Sequence, residues 1–131
     1  MNTMLILKES TVNNVTNKLN QVQDRVVDAG VRGLNEAAEE LFNQAQLIVP
    51  RKTGALANSG KVTYQDNGKR HEAIISYGDD TLNPVSGRAT SEYAVQKHES
   101  PGPGGKWLEN TFLGGYDLFM QHMISNISNE L

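Results

Sequence analysis

The sequence contains no cysteine among its 131 residues. This absence excludes disulfide bonds and metal sites with thiolate ligands, although it does not fix a redox compartment. Aromatic residues make up only 6% of the chain and apolar residues 37%. A core of that size suits a single domain spanning residues 1–131. A modest core beside long polar helix faces is typical of chains whose burial is completed by partner subunits.

Long apolar runs are also missing. No run approaches the roughly 20 residues that a membrane helix needs, so we expect no membrane partner. Met4-Leu5-Ile6-Leu7 is apolar, but no basic region precedes it and no small-residue cleavage site follows, so we expect no signal peptide. The net charge of −3 gives no general case for nucleic-acid binding.

Positive charge is nevertheless concentrated in one segment. Between residues 51 and 70 the only acidic side chain is Asp66, and the basic strip comprises Arg51, Lys52, Lys61, Lys69 and Arg70. Such a strip could face DNA or an acidic partner, or it could be the solvated surface of a hairpin, which is the more common case. The residues leave both interpretations open.

The first fifty residues carry two kinds of pattern. Thr3–Lys8 has β character and predicts a strand or arm over residues 1–9, paired with a sheet edge of its own or a neighbouring subunit. A narrow helical stripe follows, and its spacings of three and four fit a core seam or a subunit interface equally. The stripe consists of Val12, Val15, Leu19, Val22 and Val26.

Two glycines interrupt this helical pattern. Gly30 and Gly33 each cost about 1 kcal/mol relative to Ala inside a helix, and they mark a kink, a break or close packing. Helical periodicity resumes at Leu34. We therefore predict one helix at about 10–29 and a second at about 33–49, or a single kinked helix.

The second helical stretch is predicted to end at Pro50. Pro50 cannot continue a helix, because its ring fixes φ and biases the preceding residue away from the α region. Thr53 is positioned to cap one more short turn, Gly54–Asn58. Gly60 is expected to supply a left-handed exit from that turn. Leu56 is its only large apolar residue and is predicted to point inward as a wedge.

The next part of the chain predicts a small sheet with long loops over residues 60–99. Asn67-Gly68 is a strong hairpin signal between two segments of β character. Residues 78–91 read as a long loop, which in a compact domain indicates function or disorder. Residues 92–98 are predicted to form a strand or a short helix. A Gly/Pro-rich loop then leads to a C-terminal helix over 106–130, with an expected kink at Gly114-Gly115.

No motif for catalysis or cofactor binding emerges. The pairs His71-Glu72 and His98-Glu99 lack metal-ligand spacing, because adjacent strand residues point to opposite faces. The loop before Lys106 resembles a phosphate loop only superficially, since Trp107 stands where a Ser or Thr is needed. We therefore expect a non-enzymatic protein without cofactors or metals.

The turn and three later features resemble a known family. Pro50, Thr53, Gly54, Leu56 and Ser59 match Pro-x-x-Thr-Gly-x-Leu-x-x-Ser, a signature of small tailed-bacteriophage proteins. These are the tail-completion, head–tail connector (neck) and minor capsid proteins. Tyr93-Ala94, a Gly/Pro loop and Trp107-Leu108 resemble the features that follow in this family, in the same order.

The resemblance implies an α+β fold, with N-terminal helices and a C-terminal helix packed on a small, mainly antiparallel β-sheet with long loops. It further implies a virion protein, made in the cytoplasm of the bacterial host, that forms a homo-oligomeric ring at the head–tail junction. Six subunits are expected, in contact with neighbouring connector and tail proteins. The alternatives are a minor capsid component or a non-virion adaptor that binds protein or DNA.

Two surfaces follow as hypotheses about this ring. The loop Gly78–Ser91 and the N-terminal arm are expected to contact neighbouring subunits or rings. The basic strip is expected to face the lumen, where non-specific contact with DNA would need only charge, or an acidic partner ring.

Overall fold

The computed structural model describes residues 9–131, so the predicted N-terminal strand or arm lies outside the described residues apart from Glu9. The architecture is α+β, as predicted. The elements in chain order are α1 (Glu9–Ile48), α2 (Ala55–Asn58), β1 (Lys61–Asp66), β2 (His71–Ser76), α3 (Ala94–Glu99) and α4 (Trp107–Ser128). A 3-10 turn, Thr90–Glu92, precedes α3.

The first helix is continuous through both of its glycines. Helix α1 has 40 residues, so the prediction of two separate helices was wrong. The reason is tertiary packing between α1 and α4. A Cβ atom at Gly33 would lie 3.0 Å from the carbonyl oxygen of His122 and 3.0 Å from the Cα atom of Met123. Gly33 therefore lets the backbones of α1 and α4 approach closely, and this contact offsets its poor helix propensity.

The two glycines of α1 give a matched pair of substitutions. A Cβ at Gly30 would meet only side-chain atoms, at 3.9 and 4.0 Å, whereas one at Gly33 would meet backbone. Both changes to Ala gain the same helix propensity, about 1 kcal/mol, which cancels in the comparison. We expect Gly33→Ala to be less stable than Gly30→Ala by about 1–3 kcal/mol, the usual cost of overpacking. Urea denaturation followed by circular dichroism measures the difference, and equal midpoints would contradict the backbone contact.

The C-terminal helix is likewise unbroken. Helix α4 runs without interruption through Gly114 and Gly115, and the kink expected there stays a prediction. A Cβ atom at Gly115 would overlap the Cδ2 atom of Leu41. Gly115 thus admits the Leu41 side chain of α1 between the helices. Together with Gly33 beside His122, this contact sets an antiparallel α1–α4 pair.

The sheet is smaller than predicted. Strands β1 and β2 pair antiparallel, with Lys61 opposite Ser76 and Asp66 opposite His71, and the connection contains Asn67-Gly68 as predicted. Gly68 has a φ of +86°, which favours glycine. No further strand extends the sheet over the described residues up to 99, because Ala94–Glu99 forms helix α3. That segment was too short for periodicity to separate strand from helix.

The loop over residues 78–91 folds back on itself. An isolated antiparallel bridge joins Leu82 and Ala89. At its base the Thr90 hydroxyl accepts a hydrogen bond from the Asp79 amide at 2.9 Å. The Asp79 carboxylate accepts one from the Thr81 amide at 2.8 Å. Hydrogen bonding from Thr81 is the main reason why the pKa of Asp79 lies below its usual value.

Candidate assembly surface

The turn after α1 is built around a left-handed glycine, but at a different position from the predicted one. Gly54 has a φ of +82° and precedes α2, and the Thr53 hydroxyl accepts a hydrogen bond from the Ala55 amide at 3.3 Å. Gly60 is not in the left-handed region. A Cβ at Gly60 would lie 2.6 Å from the Tyr77 ring, so this glycine provides space for the ring.

A hydrogen bond on one side and a packing contact on the other attach this turn to the rest of the chain. The Ser59 hydroxyl, which is buried, donates to the Leu56 carbonyl at 2.5 Å and accepts from the Gly78 amide at 2.9 Å. Ser59 therefore connects α2 to the chain that leaves β2. On the other side, a Cβ at Gly104 would lie 3.0 Å from the Pro50 ring. Pro50 thus packs directly against the Gly/Pro loop that precedes α4.

Leu56 of the proposed phage signature and the later family features Tyr93-Ala94 and Trp107-Leu108 meet in one hydrophobic cluster. Leu56 is 4% exposed and points into it, as predicted. The buried members come from four separate stretches and are Ala45, Val49, Leu56, Ala57, Ala94 and Trp107. Tyr77, Tyr93 and Leu108 pack against them. The family resemblance named Leu56, Tyr93, Ala94, Trp107 and Leu108 without predicting that they meet, whereas Tyr77 carried no signal beyond strand alternation.

Trp107 lies at the centre of this cluster. Its ring meets the rings of Tyr77 and His98 edge-on, with centroid distances of 5.5 and 4.9 Å. Burial raises the pKa of Tyr77 to about 12. Beside the cluster, the Lys106 ammonium bridges Glu99 at 2.9 Å and Glu109 at 3.1 Å. The bond to Glu99 is the main reason why the pKa of Lys106 is raised. These exposed ion pairs tie the start of α4 to α3.

The basic strip does not form one continuous patch. Arg51 folds back onto the end of α1, where it donates to the Gln46 carbonyl at 2.6 Å. Lys61 lies at the end of β1 nearest the turn, and Lys69 and Arg70 lie beyond the opposite end, about 17 Å away along the strand. Arg70 pairs with Glu72 at 2.5 Å.

Lys52 belongs to a different group of cations. It lines a polar cleft of about 340 Å³ together with Arg88 and Lys97, two basic residues outside the predicted strip. Arg88 also forms an ion pair with Glu92 at 3.2 Å. No sequence spacing indicated this group, because its members come from the turn, the long loop and α3.

The first half of α1 carries apolar residues that its own chain leaves exposed. Helix α4 pairs with α1 from about Leu41 down to Gly30, where the Gly30 position faces Ile127 near the end of α4. Residues before this contact extend away from the body. There the α1 seam, defined as Val12, Val15 and Leu19, is 47, 54 and 63% exposed.

A second exposed apolar stripe lies on the outer side of α4. The α4 stripe is defined as Leu113, Tyr116, Met120 and Ile124, at spacings of three and four. Its members are 37 to 67% exposed. No prediction from the sequence assigned this stripe. The available signal was the spacing of its four apolar residues, which places them on one side of the helix.

An apolar cleft lies between α1, β2 and α4. Its volume is about 320 Å³, and every residue that lines it is apolar. Ala38 and Leu41 form a buried floor, whereas Phe112 on the rim is 52% exposed. The cleft is therefore open to solvent in the single chain and offers a surface for an apolar segment.

Residues 9–131 contain no group of three or more His, Asp or Glu side chains placed to hold a metal ion. Across the same residues, no helix is both long enough and apolar enough to span a bilayer.

The central turn, the hairpin and most of α1 lie within a segment that matches a known family. A family model described as "Bacteriophage HK97-gp10, putative tail-component" matches residues 13–95, more than half of the chain. The chain belongs to the HK97-gp10-like family. No curated protein and no solved structure matches it. Family membership makes the chain a structural protein of the phage tail and a virion component, and the match runs from α1 to the start of α3.

Proposed function

We propose that this tail component assembles as a homo-oligomeric ring of six subunits at the head–tail junction, where it joins the connector to the tail. The observation that carries the proposal is the distribution of apolar residues on α4. Glu109 and Asp117 are the only acidic residues of this 22-residue helix, which contains no Lys or Arg. A helix on the surface of a domain normally turns its apolar side to the core and its polar side to solvent, so an exposed apolar stripe such as that of α4 indicates a partner.

The single chain covers only part of α4. Gly115 and His122 face α1, whereas the α4 stripe is open to solvent. Exposed apolar stripes of this kind mark interaction surfaces. We assign a second copy of the chain as the occupant, because the chain itself carries a second unpartnered apolar surface of helical geometry, the α1 seam.

Contact between two different surfaces explains why a ring would form. When the α1 seam of one copy packs on the α4 stripe of the next, the contact is head-to-tail. Such contacts generate closed rings when the rotation between subunits closes. The residues of α1 from Glu9 to Val26 span roughly 26 Å, which is long enough to reach across to a neighbour.

The ring would serve a structural role rather than a catalytic one. Its faces would contact neighbouring connector and tail proteins, and its lumen would permit non-specific contact with DNA. Arg51, Lys52, Lys61, Lys69 and Arg70 remain candidates for a lumen or partner-facing surface, although they do not form one continuous patch. A minor capsid position and a non-virion adaptor that binds protein or DNA are the alternatives that experiment must separate.

The first experiment measures the mass of the purified chain. We expect sedimentation or native mass spectrometry to give a closed oligomer, with rings visible by electron microscopy. Leu19→Asp in the α1 seam and Ile124→Asp in the α4 stripe should each shift the protein to monomers. Loss of one large buried apolar side chain removes about 1.5–3 kcal/mol per contact, and the new charge adds a desolvation penalty.

Leu47→Asp is the matched control for these variants. Leu47 is 81% exposed on α1 but lies outside both surfaces. It should leave the oligomer intact, and circular dichroism should give the same helix content for all three variants. A wild-type monomer that shifts on DNA would instead support the adaptor. Rings unaffected by Leu19→Asp and Ile124→Asp would place the subunit contacts elsewhere.

A further inference from the structure

The proposed ring contact leaves the apolar cleft open. It lies on the side of α4 that bears Phe112 and Phe119, next to β2, rather than on the α4 stripe. Over the described residues β2 pairs only with β1, so its other edge is also free to accept an extended segment. A cleft of about 320 Å³ falls within the range of pockets that take small ligands or a few side chains.

The sequence offers an apolar segment directly before α1. Met4-Leu5-Ile6-Leu7 contains four consecutive large apolar side chains and no charge. A segment with this composition matches a cleft with solely apolar walls, and its β character suits pairing with a strand edge. The question is then which copy of the cleft the segment can reach.

The geometry of α1 excludes the cleft of the same chain. Leu34 is the first cleft residue along α1 and lies 25 residues after Glu9, roughly 37 Å away at about 1.5 Å per residue. Leu5 precedes Glu9 by four residues, and an extended chain covers at most about 14 Å over that distance. The segment therefore falls short of its own cleft, whatever conformation it adopts.

We propose that Met4–Leu7 of one copy occupies the apolar cleft of a neighbouring copy. The inference rests on the proposed ring and deepens it, because it names the segment and the surface that receives it. The exposed half of α1 carries the segment away from its own body and toward the next subunit. The arm then adds a second contact to the same pair of subunits.

The absence of cysteine makes a direct test simple. Two single variants, Leu5→Cys and Phe112→Cys, are co-expressed with different affinity tags, purified through both tags and oxidised. We expect a disulfide-linked dimer that carries both tags and disappears on reduction. Leu5→Cys paired with Leu47→Cys is the matched control, since Leu47 is exposed outside the cleft, and it should give little of the mixed dimer.

A second variant tests the energetic contribution of the arm. Leu5→Asp should weaken subunit association at least about tenfold by sedimentation equilibrium, because burial of one Leu side chain contributes that much or more. Leu5→Met should retain near wild-type association. Residue 5 lies outside the described body, so the helix content should not change in either variant.

The outcomes separate the two proposals. A ring of the expected mass without the mixed disulfide overturns the arm contact and leaves the ring standing. A monomeric wild-type chain overturns the ring and the arm contact with it. A disulfide within one chain of the double variant Leu5→Cys/Phe112→Cys, formed under excess wild-type protein, would show that the segment reaches its own cleft and that the inference is wrong.

Discussion

Replacing Leu56 by Asp is expected to abolish folding of the chain. Leu56 is 4% exposed in a cluster formed by Ala45, Val49, Ala57 and Trp107 among others. None of these neighbours carries a positive charge. An unpaired buried carboxylate costs several kcal/mol, and the lost apolar burial adds about 2–3 kcal/mol. The sum approaches the whole stability of a typical domain, about 5–15 kcal/mol.

The expected loss is measurable as missing helix content and a missing cooperative transition in urea. Leu56→Met is the matched control, because it conserves volume and should cost less than about 1.5 kcal/mol. The turn also depends on Leu56 through its carbonyl, which accepts the Ser59 hydroxyl. If the Asp variant kept a wild-type urea midpoint, the buried position of the Leu56 side chain would be wrong.

Replacing Trp107 by Ala is expected to destabilise the chain by about 3–5 kcal/mol, the usual range for deleting a buried Trp or Phe. Trp107 is 1% exposed and is the only Trp in the sequence. Its removal would leave a cavity between Tyr77, His98 and the α2 turn. Thermal unfolding followed by circular dichroism should show a melting temperature well below that of the wild type.

Trp107→Phe distinguishes ring packing from hydrogen bonding. The Trp107 indole nitrogen is buried and has no hydrogen-bond partner among the described residues. The Phe variant therefore gives up packing but no hydrogen bond, and it should lose clearly less stability than the Ala variant. Equal losses for the two variants would mean that the edge-on contacts with Tyr77 and His98 do not need an aromatic ring.

The predictions succeeded where the physical cause is local. Pro50 ends α1 because its ring cannot enter the helix. Asn67-Gly68 makes the hairpin connection because its glycine takes a positive φ at little steric cost. The inward position of Leu56 follows from its being the only large apolar residue of a short turn. These features depend on residues a few positions apart, so a sequence pattern can express them.

The predictions failed where the cause lies in a distant part of the chain. Gly33 lowers helix propensity locally, and the two separate helices assigned around it were wrong because it lies against the backbone of α4. The left-handed residue of the turn is Gly54, whereas Gly60 makes room for Tyr77. The local sequence allows a left-handed residue at either glycine. Which of the two adopts a positive φ is decided by tertiary packing.

The sequence by itself determined the α+β class, the end of α1 at the turn, the hairpin and the phage-tail character of the chain. Only the tertiary structure decided that α1 is one helix, that Ala94–Glu99 is helical, and that the α4 stripe and the apolar cleft are exposed. The physical reason is the separation along the chain over which each effect acts. Backbone propensity acts over a few residues, whereas burial depends on which surfaces meet, and in the antiparallel α1–α4 pair those residues lie about 74 to 97 positions apart.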